Sequence, residues 1–213
     1  MKFKIWIYLL PLIIMAVSQC KKDDGPTIRI LRFQPVAEYG KDANIWSAYP
    51  DLNGGDSLVL RVLVEDDDGT ASIERFLMEF DLSPISDKAE VILAELHLSY
   101  FDTQDRTHHS TTGPNVAFLK RITSAWDEQT VTWNNQPSTT SENQVVVPNS
   151  TSPTSDLLLD ATVLVQDLIT YREGSHGFMM QLEIEEGSKG QFYASSDHLN
   201  AGYHPWLEVT ILE

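Results

Sequence analysis

The stretch Ile122–Pro137 reads Ile-Thr-Ser-Ala-Trp-Asp-Glu-Gln-Thr-Val-Thr-Trp-Asn-Asn-Gln-Pro and carries two tryptophans seven residues apart, Trp126 and Trp133. An acidic pair follows the first tryptophan, and a short β-favouring run begins at Thr130. Asparagine tolerates turn conformations and proline cannot donate to a β-ladder, so the residues after the second tryptophan end that run. The pattern predicts a turn, a short strand and a stop. It holds no nucleophile beside a base, so we expect it to anchor and orient the chain.

Elsewhere the chain alternates polar and apolar residues with a period of two, which predicts strands with one solvent-exposed face and one buried face. The apolar positions are Leu58, Leu60, Val62 and Val64; Phe76, Met78 and Phe80; Ile92, Ala94, Leu96, Leu98 and Tyr100; Phe178, Met180, Leu182 and Ile184; Leu207, Val209 and Ile211. Turn-forming segments such as Asp66–Gly69 separate these runs and predict hairpins. The sequence therefore predicts an all-β fold, an antiparallel β-sandwich of the jelly-roll type.

A single stretch, Thr162 to Tyr171, shows a helical apolar stripe, with Asp160 placed to cap it. Residues 138–155 are rich in Ser, Thr, Pro and Asn and predict a surface loop. The sequence shows no internal repeat and no second core. We therefore expect one sandwich domain over residues 28–213, preceded by a signal peptide (1–19) and a lipidated, acidic tether (20–27).

The N-terminus is typical of an exported protein. A basic start is followed by the apolar region Ile5–Val17, which is short for a membrane span. The next residues, ending at Cys20, resemble a bacterial lipobox in which Gln19 replaces the usual small residue. An ordinary secretion signal or a retained membrane anchor is the alternative. We expect lipidation of Cys20, because it is the single cysteine of the chain and a thioether-linked lipid explains its position.

The segment Lys21–Asp24 resembles the export tag of Gram-negative lipoproteins that reach the outer face of the outer membrane. We therefore expect an outer-membrane, surface-exposed location with a lipid as the one membrane contact. A solvated tether is the plainer interpretation of the same residues.

The chain is strongly acidic, with 15 Lys and Arg, 31 Asp and Glu, and a formal charge of −16. Removing residues 1–19 takes away two lysines, which leaves 13 bases against 31 acids, or −18. Nucleic acids and anionic lipid surfaces require basic footprints, so the composition argues against both as partners. With one cysteine the chain forms no internal disulfide and depends on a buried core.

A family resemblance rests first on the tryptophan stretch. Its pattern W-x-E-x-x-V-T-W-N-x-x-P resembles the centre of the DNRLRE-type domain, a β-sandwich related to carbohydrate-binding module family 96. Further segments resemble the same family: Asp42–Gly54, Arg75–Ile85, Ala89–Tyr100, Gly177–Phe178, Ser195–Ser196 and His204–Leu207, where His204 replaces the usual Arg. The resemblance implies polysaccharide binding without catalysis.

Signatures of enzymes are absent from the sequence. It contains no G-x-S-x-G, no H-E-x-x-H and no phosphate-binding glycine loop, and the adjacent His108 and His109 lie in a polar loop that predicts solvated side chains. Placed on the calcium-loop pattern, Asp66–Gly69 puts Val64 and Arg75 where carboxylates are required. We therefore expect no catalytic residue and no cofactor. Many lectin-like sandwiches hold a structural calcium ion, but the sequence does not identify ligands for one here.

Basic residues that alternate with apolar ones are the first candidates for ligand contact. Side chains alternate across a strand, so Arg61, Arg75, His97 and Arg121 are each predicted on a polar face. In one sheet they would form a basic stripe, suited to a uronate-bearing polysaccharide through arginine forks. In different sheets, each would pair with a nearby carboxylate.

Aromatic residues beside a polar turn are the second candidates. Trp46 and Tyr49 are predicted to be exposed and able to stack on sugar rings, whereas Trp133 and Trp206 are predicted to be structural. The leading hypothesis is a cell-surface lipoprotein that binds polysaccharide. That polysaccharide is expected to be acidic if the four basic residues form one stripe. The alternatives are a structural or adhesion protein that uses the sandwich as a spacer and, less favoured, a polysaccharide lyase or hydrolase.

Overall fold

The structure is a computed structural model that describes residues 25–35, 40–67, 70–101, 108–110 and 113–213. Within these residues the strands are β1 Ile28–Phe33, β2 Asp42–Trp46, β3 Val59–Asp67, β4 Thr70–Met78, β5 Glu90–Leu98, β6 Ala117–Ile122, β7 Thr139–Val147, β8 Leu157–Asp160, β9 Phe178–Leu182, β10 Lys189–Ala194 and β11 Trp206–Leu212. The helix α1 spans Thr162–Thr170, and two 3₁₀ turns cover Arg172–Gly174 and Ala201–Tyr203.

Two sheets build the domain. The smaller has the order β1-β11-β5-β8, and the larger has the order β10-β3-β4-β9-β6-β7, with β2 paired to one half of β4. Each of these strand pairings is antiparallel. The prediction of an all-β antiparallel sandwich with one short helix is confirmed.

The main core lies between the sheets and follows the predicted alternation. Leu60, Val62 and Val64 of β3 are fully buried there, facing Leu96 of β5 and Val209 of β11. The opposite face of the larger sheet carries a second apolar cluster, which we call the outer cluster: Ala43, Ile45, Leu77, Ile122, Val131 and Met179. The larger sheet is therefore apolar on both faces.

The tryptophan stretch covers the outer cluster. Trp126 and Trp133 pack against it, and the indole N–H of Trp126 donates to the carbonyl of His176 at 2.8 Å. The strand predicted from Thr130 is wrong, since this segment forms turns. Asp127 explains the difference: its side chain accepts hydrogen bonds from Gln129 N and Thr130 Oγ1, which fixes a local turn.

Two other local predictions differ from the structure. Residues 138–155 are not all loop, because β7 lies within them as an edge strand of the larger sheet. The run of β5 does not bury Ile92, which is 47% exposed, while Val91 is buried instead. A register shift between Thr210 and Ile211 of the neighbouring strand moves Val91 onto the core face.

The hairpin follows the sequence, whereas the N-cap position of α1 is Ala161 and not the predicted Asp160, which lies one residue earlier. β3 and β4 pair through Asp67 and Thr70, with residues 68–69 between them outside the described part. Asp160 accepts a hydrogen bond from Thr162 N, the first residue of α1, at 3.0 Å. The predicted signal peptide and lipobox lie within residues 1–24, outside the described residues. No helix in the described part of the chain has the length and hydrophobicity needed to span a membrane.

Candidate functional site

Arg61 and Arg75 share the outer face of the larger sheet, and each is paired with a carboxylate. Arg61 lies 3.5 Å from Glu74, and its guanidinium is 6.0 Å from the ring centre of Trp46. Arg75 forms a bidentate ion pair with Glu185, in which its Nε and one terminal nitrogen donate to the two carboxylate oxygens at 2.8 and 2.7 Å. Both arginines are thus paired with carboxylates of the domain, as the alternative to a basic stripe predicted, although the buried Nε of Arg61 has no hydrogen-bond partner.

His97 and Arg121 do not join them, so the predicted four-residue stripe is wrong. His97 lies on β5, in the smaller sheet. Arg121 pairs in register with Phe178, whose ring lies in the main core, so Arg121 is on the inner side of the larger sheet. Arg121 was predicted on the outer face because its apolar neighbour Ile122 was assumed to face the main core. Ile122 instead belongs to the outer cluster, so Arg121 faces inward.

The aromatic candidates also separate. Trp46 is only 8% exposed, because its ring contacts Gly54 and lies under Arg61, so its predicted exposure is wrong. Tyr49 is 65% exposed, as predicted. Leu52, in the same turn, is also exposed. This turn offers a single aromatic ring.

The outer face of the smaller sheet holds a stacked row. The Trp206 ring lies 3.3 Å from the parallel ring of His97 and 3.8 Å from the guanidinium of Arg32. Burial lowers the pKa of His97, although Glu95 and Glu208 oppose that effect. Both faces of the indole are occupied, so Trp206 has a packing role and does not present a free ring to a sugar.

A concave surface lies at one end of the sandwich, beside the end of α1. It consists of two adjoining depressions of about 520 and 580 Å³ that share Arg172, and we call it the helix-end groove. Its walls come from the segment after β4, from the turn before β9 and from the 3₁₀ turn after α1. The side chains that line it include Lys41, Glu79, Asp81, Arg121, Tyr171 and Arg172.

Hydrogen bonds fix the walls of the helix-end groove. Arg172 donates to the carbonyls of Leu82 and Ile85, at 3.2 and 2.7 Å. Arg121 lies 5.0 Å from the ring centre of Tyr171, whose side chain is 50% exposed. Arg121, alone of the predicted ligand-binding residues, therefore lines this groove, and Tyr171 is the exposed ring that sequence reasoning missed.

Gly177 allows the groove floor to form. Its φ is +86°, and an added Cβ would lie 2.2 Å from the carbonyl oxygen of Met78. Only glycine accepts that backbone conformation and that approach without displacing β4. The residue before it, His176, lines the groove and accepts the hydrogen bond from Trp126. The tryptophan stretch thus supports the groove from behind.

The charges that line the groove nearly cancel. Lys41 forms an ion pair with Glu79, and its ammonium lies 4.4 Å from the ring centre of Trp126. Hydrogen bonds from Ser83, with a smaller effect of Arg172, lower the pKa of Asp81, so that carboxylate is ionised at neutral pH. A surface of this kind suits hydroxyl-rich ligands that are held by hydrogen bonds and ring stacking.

A group of three carboxylates lies elsewhere, at the start of β2, and we call it the carboxylate cluster. One oxygen from each of Asp42, Glu128 and Asp197 lies within 4.8 Å of the others. Asp42 opens β2, Glu128 belongs to the tryptophan stretch and Asp197 follows β10. Sequence reasoning missed this cluster, because its members are 86 and 69 positions apart (128 − 42 and 197 − 128). Carboxylates in this arrangement are able to hold a metal ion.

An antiparallel sandwich with an open groove and an exposed aromatic ring is typical of ligand-binding modules. The chain matches the model of carbohydrate-binding module family 96 over residues 36–210, and it belongs to that family. The resemblance to carbohydrate-binding module family 96 is confirmed, and modules of this kind bind carbohydrate without catalysing its conversion. No curated protein matches the chain.

Proposed function

We propose that this protein holds polysaccharide at the bacterial cell surface, through the helix-end groove of a lipid-anchored, non-catalytic domain. The family match over residues 36–210 is the observation that carries carbohydrate binding. The groove is favoured as the site because it combines an open volume of a size that suits a ligand with the half-exposed ring of Tyr171. The lipid anchor rests on Cys20 and on the apolar segment before it.

The charges near the groove favour one class of polysaccharide. An acidic polysaccharide was expected from a basic stripe, and that stripe is divided between two sheets and two faces. Near the groove, Lys41 is paired with Glu79 and both terminal nitrogens of Arg172 bind backbone carbonyls. We therefore favour a polysaccharide of low charge. Its binding should change little between low and high salt, because no net Coulomb attraction is screened.

The glycan site can be tested with two exposed tyrosines that form a matched pair. Tyr171→Ala should weaken polysaccharide binding about tenfold, because it removes the ring that lies over the groove. Tyr49→Ala, which removes a similarly exposed ring in a distant turn, should leave binding unchanged. The measurement is affinity electrophoresis or calorimetry with residues 26–213 and a panel of neutral and acidic polysaccharides.

The same panel separates the alternatives. Loss of binding in Tyr49→Ala but not in Tyr171→Ala would move the site to the turn that contains Tyr49. Binding that requires low salt and is lost in Arg75→Ala would indicate that the ligand is an acidic polysaccharide. A domain that binds none of the panel would be a structural spacer, and release of oligosaccharides from a bound polymer would indicate an enzyme.

Lipidation at Cys20 gives a separate prediction. Labelled fatty acid should be incorporated into the wild-type chain, and Cys20→Ala should abolish the label and release the protein from the outer membrane. A single acyl chain gives marginal membrane affinity, so stable anchoring requires the multiply acylated form. Absence of label from the wild type would contradict the lipoprotein hypothesis. Protease treatment of whole cells then reports whether the domain faces outward.

A further inference from the structure

We propose that the carboxylate cluster of Asp42, Glu128 and Asp197 binds a calcium ion that joins three distant segments of the domain. The geometry that points to this is the approach of three carboxylates to within 4.8 Å, at a place where each arrives from a different loop or strand end. The proposal is independent of the carbohydrate-binding function, and the helix-end groove does not include these residues.

One buried carboxylate oxygen at the cluster has no hydrogen-bond partner. Asp42 is 2% exposed, and its Oδ2 accepts from Ser196 N at 2.9 Å, while its Oδ1 accepts from nothing. Buried polar atoms are nearly always satisfied, so this orphaned oxygen indicates that a cation is missing. The Ser196 side chain is also buried beside Asp42, and carboxylate and hydroxyl oxygens are both suitable ligands for a hard cation.

The charge of the cluster is not balanced by the protein. Among the described residues, no lysine or arginine forms an ion pair with these three carboxylates. Lys41 adjoins Asp42 in the chain, but its ammonium pairs with Glu79. Burial and the neighbouring Asp56 raise the pKa of Asp197, and His204 opposes that effect only in part. Three close carboxylates with so little compensation are expected to attract a cation strongly.

The carboxyls of the cluster are shielded from water. Burial raises the pKa of Asp42 to about 7, against the opposing hydrogen bonds from Ser196. Burial also raises the pKa of Glu128, and the neighbouring Asp197 raises it further.

The surroundings hold Glu128 in place for such a role. The Asn53 side chain donates to the carbonyls of Glu128 and Val131, at 2.7 and 2.8 Å. Glu128 Oε1 accepts from Asp42 N at 2.8 Å, so one carboxylate oxygen remains for an ion. An added Cβ on Gly55 would lie 2.5 Å from Glu128 O, so the 53–55 turn packs directly behind it. The site is therefore built by backbone as well as by side chains.

The donor atoms select the ion. All of the available donors are oxygens from carboxylates and a hydroxyl, which excludes the thiolate and imidazole ligands that favour zinc and copper. Calcium accepts six to eight oxygens in flexible geometry, whereas magnesium requires a strict octahedron and retains several waters. The partly exposed Asp197 leaves room for water to complete a calcium shell.

The test uses the full chain, purified in mild detergent and stripped of metal with EDTA. Adding calcium chloride should raise the melting temperature in a saturable way, with one ion bound per chain in calorimetry. Magnesium chloride at equal ionic strength should have a much smaller effect. Terbium, a calcium substitute, should show luminescence sensitised by Trp126, two residues from Glu128.

Two variants make the result specific. Asp197→Asn keeps the shape of a partly exposed side chain and should weaken calcium binding at least tenfold. Asp87→Asn removes an equal charge from an exposed position outside the cluster and should bind calcium as the wild type does. The proposal is overturned if calcium gives no saturable shift in the stripped wild type. It is equally overturned if Asp197→Asn and Asp87→Asn respond to calcium alike.

Discussion

Replacing Trp133 with alanine should lower the free energy of unfolding by about 3 kcal/mol, near the lower end for a buried tryptophan. The ring packs against the outer cluster, and the Arg75 guanidinium lies 4.7 Å from its centre. Removing it uncovers apolar surface on the outer face of the larger sheet and leaves Arg75 without its aromatic neighbour. For a domain of this size, the melting temperature should fall by roughly 6–12 °C.

A matched pair of variants identifies the cause. Trp133→Phe keeps an apolar ring over the outer cluster and should lose less than half as much stability as Trp133→Ala. Urea unfolding followed by circular dichroism measures both without relying on tryptophan emission. If Trp133→Ala melts like the wild type but no longer binds polysaccharide, Trp133 belongs to the ligand site and its structural assignment is wrong.

Alternation along the strands was enough to predict the sandwich, because burial of one face of each strand repeats locally every two residues. Leu60, Val62 and Val64 are buried together as the pattern requires. The pattern cannot distinguish the inner face from an outer face that is itself covered. Ile122 and Leu77 are buried beneath the tryptophan stretch, so the side on which Arg121 lies could not be deduced from its neighbours.

Local side-chain chemistry caused the other failures. Asp127 holds a turn where the β-favouring residues after it predicted a strand. His109 was predicted to be solvated, but it is 3% exposed, and its Nδ1 accepts from Phe192 N at 3.0 Å. Burial lowers the pKa of that imidazole, which is consistent with a neutral ring. Contacts of this kind join residues far apart in the chain, so neither composition nor periodicity reports them.

The candidate site was predictable only in part, for the same reason. Glu128 and the Ser195–Ser196 pair were recognised as parts of a family pattern, but nothing in their spacing showed that they meet. The approach of Asp42 and Asp197 depends on how β2 and β10 are placed by their partners in the larger sheet. The sequence therefore indicates the class of protein, while the arrangement of charges requires the fold.

The buried carboxyl of Asp42 should make the metal-free protein less stable as pH rises. Its pKa is raised from 3.8 to about 7 by burial, so the folded state holds a proton that the unfolded chain releases. The resulting stability is fully present below about pH 4 and is lost as pH rises through about 7. Three pKa units at about 1.4 kcal/mol each correspond to a loss of about 4 kcal/mol.

Asparagine at this position separates that contribution from other titrations. The charged neighbours Glu128, Asp197, Asp56 and His204 are present in both proteins, whereas Asp42→Asn stays neutral at every pH. In EDTA, we expect Asp42→Asn to match the wild type near pH 4 and to exceed its stability at pH 8. Parallel curves for the two proteins would show that Asp42 does not carry a buried charge. With calcium at pH 8 the order should reverse, because the ion stabilises the ionised carboxylate that asparagine lacks.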